Sequence, residues 1–396
     1  MSMRSPSVPP VQQAPIVPAL EGPGGIRFDF NDGCRVFLPA GNWHVVLKDL
    51  DTHTILFSED VSQGIVQSSK RYYLRFQIEI TKDGEPFFTY EMNLKDQPVL
   101  VRMREGGIGD HLAWFGQVAD FARKHECRLT CIVRPDIANL LIPVYPHIRL
   151  VSTEEEAGSD YYASYKVLIF YNDVARNHSP VDYREAGLET NAALILGLSR
   201  TSRRPDVAIM EGGRPLEERY VCIATQATSQ NKYWNNPFGW LETIRFLKKR
   251  GYRVICIDRN RVNGVGTIWN HIPYGAEDFT GALPLAERAR WLRHAEFFIG
   301  LSSGLSWLAW AVGTPIVLIS GFTRPDNEFE TPYRVINWNA CNSCSNDIRC
   351  QLNPADYLWC PRQSSTDKQF ECTRLISSQQ VIDTIMQIPD LEGVSE

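Results

Sequence analysis

Val99-Leu100-Val101-Arg102-Met103-Arg104-Glu105-Gly106-Gly107-Ile108-Gly109-Asp110-His111-Leu112-Ala113-Trp114 decides the fold. A short apolar strand over 99–103 runs into a glycine-rich turn at 104–109 and then a helix over 110–124, with the next strand opening at 128–133. That strand–turn–helix–strand order predicts parallel pairing. The same grammar continues with strands expected at 166–170, 220–224, 253–257, 297–299 and 316–319, and with helices at 237–250 and 285–294. Residues 197–205, rich in Ser and Arg and closed by Pro205, form the best seam between two such halves, so two open parallel sheets are expected to face one cleft. The halves are taken as 99–200 and 201–340.

Upstream, the texture has period two. Leu74, Phe76, Ile78 and Ile80 alternate with polar residues, and Lys82-Asp83-Gly84 supplies a hairpin turn before Phe87 and Phe88. Residues 26–98 are therefore expected to form a small all-β sandwich or barrel with a docking or assembly role. Residues 1–25 carry six prolines and no apolar signal core, which predicts a flexible tail and a cytoplasmic address.

Composition sets the remaining bounds. With 396 residues, 43% apolar and 22% charged, the chain has ample material for a packed core. Its 41 Lys and Arg against 46 Asp and Glu leave a net charge of −5, so no general basic field draws it to nucleic acid or anionic lipid. The uncharged run 297–323 is long enough to span a bilayer, but five Gly or Pro and four Ser break it into strand, loop, helix and strand, and no membrane insertion is expected.

Ten cysteines in a reducing compartment argue against a disulfide framework. Cys34, Cys127, Cys131, Cys222 and Cys256 sit singly in apolar contexts and read as small core residues. The other five cluster. Cys341-x2-Cys344-x15-Cys360-x11-Cys372 offers four thiolates, the number that closes a tetrahedral structural site for zinc or iron, with Cys350 left over or able to replace a neighbour.

Two further motifs carry chemistry. The turn Gly106-Gly107-Ile108-Gly109-Asp110 lets backbone approach a ligand at a helix N-terminus, though its spacing is not that of a dinucleotide fingerprint. Asp110 is either the N-cap of that helix or a general base at the cleft mouth. Ser302-Ser303-Gly304-Leu305-Ser306, between a strand and a helix, offers amides and hydroxyls to a phosphate or serves as a plain loop. Lys232, in Asn231-Lys232-Tyr233-Trp234, would bring a cation beside it.

These blocks, with Asp278-Phe279-Thr280-Gly281 and Gly313-Thr314-Pro315, resemble in order the ADP-heptose-dependent heptosyltransferases. The resemblance implies a GT-B architecture of two Rossmann-like domains and inverting transfer without a catalytic metal. By position it makes Asp110 the base, Lys232 the diphosphate partner and residues 302–306 the phosphate turn, with Gly107, Gly109, Thr225, Gln226 and Trp234 completing the substrate and donor-binding set. Ser302 stands where many relatives carry Asp.

The added β module and cysteine finger make the chain similar to the bacterial autotransporter heptosyltransferases, which modify Ser or Thr of passenger proteins before export. This implies iron held by Cys341, Cys344, Cys360 and Cys372, with zinc as the alternative, and a homo-oligomer, a dodecamer. The finger spans 341–372, and a C-terminal helix and tail span 373–396. Competing readings are a lipopolysaccharide core heptosyltransferase, and a metal-finger binding or redox module on an inactive scaffold.

Overall fold

The computed structural model describes residues 18–389. The proposed flexible tail falls mostly outside these residues. Its last part departs from the expectation, because Leu20–Glu21 pairs antiparallel with Arg27–Asn31 and Pro23–Gly25 forms a 3-10 turn.

The first half is built on an eight-stranded sheet. Arg149–Val151, Arg128–Ile132, Pro98–Arg102 and Ala163–Lys166 lie side by side in parallel. Ala163–Lys166 then pairs, still in parallel, with Arg27–Asn31, placing Ala163 opposite Phe30. Arg35–Leu38 and Gly64–Gln67 follow antiparallel. The N-terminal segment is thus not a closed β module, since part of it extends the α/β sheet. A separate four-stranded antiparallel sheet, Ile55–Val61, Trp43–Asp49, Phe76–Lys82 and Glu85–Glu91, covers this extension. Alternation drives the packing: Trp43, Val45 and Leu47 are buried while their neighbours face out. Phe28 and Phe30 meet Phe76, Phe88 and Tyr90 between the layers, with ring centroids 4.5 to 6.1 Å apart.

The strand expected at 166–170 is displaced toward the N-terminus. The strand ends at Lys166, one further backbone bond runs from the Val167 N–H to Arg102 O at 3.0 Å, and Leu168 and Ile169 lie beyond the carboxyl end of the sheet, where their apolar side chains line a cavity.

The second half carries a six-stranded parallel sheet in the order Glu277–Asp278, Arg253–Cys256, Tyr220–Ile223, Phe298–Leu301, Ile316–Ile319 and Arg334–Val335. The uncharged run near residue 300 resolves into strand, loop, helix Gly304–Ala311 and strand as its breakers predict. Among the described residues no helix is long and apolar enough to cross a membrane. Helix Ser378–Ile385, capped by Ser377 and Gln380, packs Val381 and Ile385 into this half's core. The antiparallel pair Val262–Val265 and Ile268–His271 stands apart with Trp269 exposed.

One core contact sets an acid limit on stability. His125, at the end of helix Ile108–His125, lies 4.6 Å from the Phe121 ring and 4.8 Å from Tyr73, and its Nε2 has no hydrogen-bond partner among the described residues. Burial pushes its pKa down to about 4. The unfolded chain takes up this proton near the ordinary value of about 6.5, so the folded state loses stability as pH falls from there toward 4. Between pH 7 and pH 5 the urea midpoint is expected to drop by the equivalent of about 1 kcal/mol after discounting for partial exposure. His125→Phe should flatten that part of the profile.

Candidate active site

Two helix N-termini meet where the carboxyl ends of the parallel strands of the two sheets face each other. Helix Ile108–His125 follows strand Pro98–Arg102, and helix Gly304–Ala311 follows strand Phe298–Leu301. They touch glycine to glycine. A Cβ on Gly109 would stand 2.7 Å from Trp307 Cδ1, and one on Gly304 would stand 2.9 Å from Ile108 Cβ. Around this contact opens a cavity of about 660 Å³, within the size range of sites that enclose a small organic ligand.

Asp110 lines it from the third helical position. The N-cap is Gly107, so the expectation that Asp110 is itself the cap gives way to a different arrangement. The Gly107 N–H donates to Asp110 Oδ2 at 2.6 Å, while Asp110 Oδ1 has no hydrogen-bond partner among the described residues. Gly106 makes this reach-back possible: its φ is +107°, and a Cβ there would stand 2.9 Å from Asp110 Cβ. Behind the turn, buried His111 donates from Nδ1 to Gly107 O at 2.8 Å. One carboxylate oxygen is thereby fixed and the other left open to the cavity.

Lys232 closes the 3-10 turn Gln230–Lys232 on the opposite wall. Its ammonium lies 5.3 Å from the Phe322 ring centroid and makes no ion pair or side-chain hydrogen bond among the described residues. Burial pulls its pKa below the ordinary lysine value, while the carboxylates of Asp110 and Glu328 act in the opposite direction. The base candidate and the cation candidate therefore share one electrostatic neighbourhood.

The serine turn divides. Ser302 Oγ donates to Glu328, and Ser306 Oγ donates to Leu301 O at 2.5 Å, so both hydroxyls are spent inside the protein. Ser303, Gly304 and Leu305 line the cavity at the helix N-terminus, where first-turn amides and the helix dipole favour an anion.

Gly107, Gly109 and Gln226 also line the cavity. Thr225 is buried, its N–H and hydroxyl both donating to Asp258 at 2.8 and 2.9 Å. Trp234 is placed elsewhere: it is buried against Trp240, and its indole N–H donates to Ile376 O at 2.9 Å. Its large apolar area and satisfied N–H make it a core residue of the second half.

Two carboxylates escaped the sequence reading. Glu328, almost fully buried, accepts from Thr323 Oγ1 at 2.6 Å and pairs with Arg334 at 2.9 Å. Asp258, 2% exposed and held by Thr225, has its pKa raised by burial. Its place just past strand Arg253–Cys256, in an open parallel sheet, was the available signal.

The cysteine finger forms a second site. Cys341, Cys344, Cys360 and Cys372 line one void of about 10 Å³, and none is in a disulfide. Cys350 does not line it, but packs with Phe322 and Trp359. Burial and the neighbouring thiols push Cys344 and Cys372 upward, Cys372 to about 12. Among the described residues no three Cys, His, Asp or Glu side chains stand at metal-binding spacing, so the thiols surround the void without forming a closed cage. Arg362 Nη1 lies 3.7 Å from Cys341 Sγ. Four soft donors around one atom-sized void, with a cation beside them, suit a thiolate-bound metal in donor type and number.

The chain is similar to known proteins over most of its length. Residues 22–84 match the N-terminal domain of glycosyltransferase TibC, and residues 162–353 match glycosyltransferase family 9 (heptosyltransferase). The autotransporter heptosyltransferase Aah of Escherichia coli is 48% identical, over 94% of this chain and 95% of that protein. BimC of Burkholderia thailandensis, described as an inactive autotransporter heptosyltransferase, is 42% identical over 95% of this chain and 88% of its own. The crystal structure of TibC, described as a dodecameric iron-containing heptosyltransferase in complex with ADP-D-beta-D-heptose, is 48% identical. It superposes with a TM-score of 0.92 over 95% of this chain and 98% of that one. The chain belongs to the autotransporter heptosyltransferases, glycosyltransferases of family 9.

Proposed function

We propose that this protein transfers heptose from ADP-heptose to Ser or Thr hydroxyls of an autotransporter passenger, with inversion and with Asp110 as general base. The observation that carries this reading is the cavity shared by Asp110, Lys232 and the N-terminus of helix Gly304–Ala311, where among the described residues Asp110 Oδ1 has no hydrogen-bond partner and Lys232 no ion pair. Transfer makes two demands. The acceptor hydroxyl must lose a proton as it attacks the anomeric carbon, and the departing ADP must have its developing charge offset. Asp110 meets the first, and Lys232 with the amides around Gly304 meets the second.

The finger thiols Cys341, Cys344, Cys360 and Cys372 would hold iron, or zinc as the alternative, and the bound metal would supply a cross-link within the fold. A dodecamer is proposed from the likeness to TibC, which is described as dodecameric, and a cytoplasmic location is proposed beside it.

Lys232→Met should lower kcat/KM for ADP-heptose by roughly a hundredfold, because the site then lacks the charge that offsets the leaving diphosphate. Steady-state kinetics with varied donor checks this. The function as a whole is tested by intact-mass analysis of a passenger co-expressed with this protein. Heptose-sized mass increments on Ser or Thr are expected with the natural sequence and none with Asp110→Ala. Transfer to lipopolysaccharide core sugar and none to any passenger would overturn the acceptor assignment.

A further inference from the structure

The loop between Cys344 and Cys360 forms part of the cavity wall. Leu352, Asn353, Pro354 and Asp356 face the same space as Asp110 and Lys232. Each side of this loop is tied to a different half of the molecule. On the side bearing Lys232, the Gln230 N–H donates to Tyr357 O at 2.9 Å and Asn231 Nδ2 donates to Trp359 O at 2.9 Å. On the side bearing Asp110, Arg184 Nη1 donates to the carbonyls of Ile348 at 2.9 Å and Cys350 at 3.3 Å.

Arg184 is itself rigidly placed. Its Nε and Nη2 donate to the two oxygens of Asp182 at 2.8 Å each, and Arg176 reaches the same carboxylate at 2.9 Å. The Asp182 side chain is 8% exposed and that of Arg184 15%, so this is no solvated surface pair. The Asp182 pKa is held at about 2, chiefly by the Arg184 hydrogen bonds. The guanidinium also stacks over the ring of Tyr183, which meets Tyr171 edge-on, and both rings line the cavity. Gln351 adds a weaker tie from its amide to Tyr171 O at 3.4 Å and Asn172 Oδ1 at 3.3 Å.

We infer that Arg184 is a positioning residue for the acceptor: it fixes the 345–359 loop against Tyr171 and Tyr183, and this pair of walls receives the polypeptide that carries the attacking hydroxyl. The inference rests on the proposed transfer reaction. The groups suited to the donor diphosphate lie on Lys232 and the Gly304 helix, which leaves the wall of aromatic rings, Asn353 and Asp356 for the second substrate. Aromatic faces and side-chain acceptors suit an extended peptide with free backbone N–H groups.

The test compares Arg184→Ala, Arg184→Lys and Gln351→Ala with the natural sequence, using the full chain with its metal content measured. The expected result for Arg184→Ala is a rise in KM for the passenger of roughly tenfold to a hundredfold, with KM for ADP-heptose and metal content unchanged. Gln351→Ala should shift the passenger KM less, and Arg184→Lys should fall between. Limited trypsin digestion supplies a readout independent of transfer, since cleavage after Arg349, whose side chain is 80% exposed, should accelerate once the latch is released. An unchanged passenger KM in all three variants overturns the inference, as does an equal loss for donor and passenger. If Arg184→Ala does not fold, the other two variants decide it. Should the natural sequence transfer nothing to a passenger, the reaction assignment fails, and an unaltered digestion rate at Arg349 would remove the latch as well.

Discussion

Asp110→Asn is expected to give a folded protein that binds ADP-heptose normally and transfers the sugar roughly a hundred to ten thousand times more slowly. The substitution is close to isosteric, and an amide oxygen can still accept the Gly107 N–H that now reaches Asp110 Oδ2 at 2.6 Å. What it removes is the basicity of the second oxygen, the one without a partner among the described residues. Asp110→Ala removes both functions, so it should match the rate loss and also lower the melting temperature. Calorimetry with ADP-heptose, thermal melting and single-turnover transfer separate these effects. A slow Asp110→Asn enzyme with weakened donor binding would point to a role in holding the donor. A variant near natural speed would leave Asp110 as a helix-terminal fastener and nothing more.

The second large effect is expected at the finger. Cys344→Ser should abolish stoichiometric metal binding and destabilise the protein by several kcal/mol, on the order of 3 or more, because a metal bound only in the folded state contributes its binding energy to folding. The change should reach the reaction too, since Cys344 and Cys360 bracket the loop that carries Leu352 to Asp356 into the cavity. Cys350→Ser is the matched control: this thiol is buried outside the four-cysteine void and should keep its metal. Elemental analysis and thermal melting of the two variants give the comparison directly. Full metal content in Cys344→Ser, or loss of metal in Cys350→Ser, would reassign the ligands.

The parts of this molecule legible in its sequence are those written in local chemistry. A glycine-rich turn between strand and helix is a short-range signal, so the helix carrying Asp110 and its place at the cleft followed from residues 99–114 alone. The uncharged run around residue 300 was legible for the same reason. Its serines were not, because whether Ser302 Oγ meets a ligand or Glu328 depends on a residue 26 positions away. Trp234, placed in the donor-binding set by position, is instead buried against Trp240 and donates to Ile376 O, because position in a motif does not say which way an indole faces. Period-two alternation marks which face of a strand is covered but not which strand lies beside it, and this is why Arg27–Asn31 read as part of a separate module.

That pairing has a practical consequence for anyone who would trim or transplant the protein. Cutting the chain ahead of Pro98 would strip the half that carries Asp110 of the neighbour that satisfies the outer backbone of Ala163–Lys166, leaving a raw sheet margin and the apolar underside of Tyr162 open to self-association. The front segment is therefore not a detachable cassette. A fusion partner or tag belongs ahead of Leu20, and a minimal enzyme begins no later than that residue.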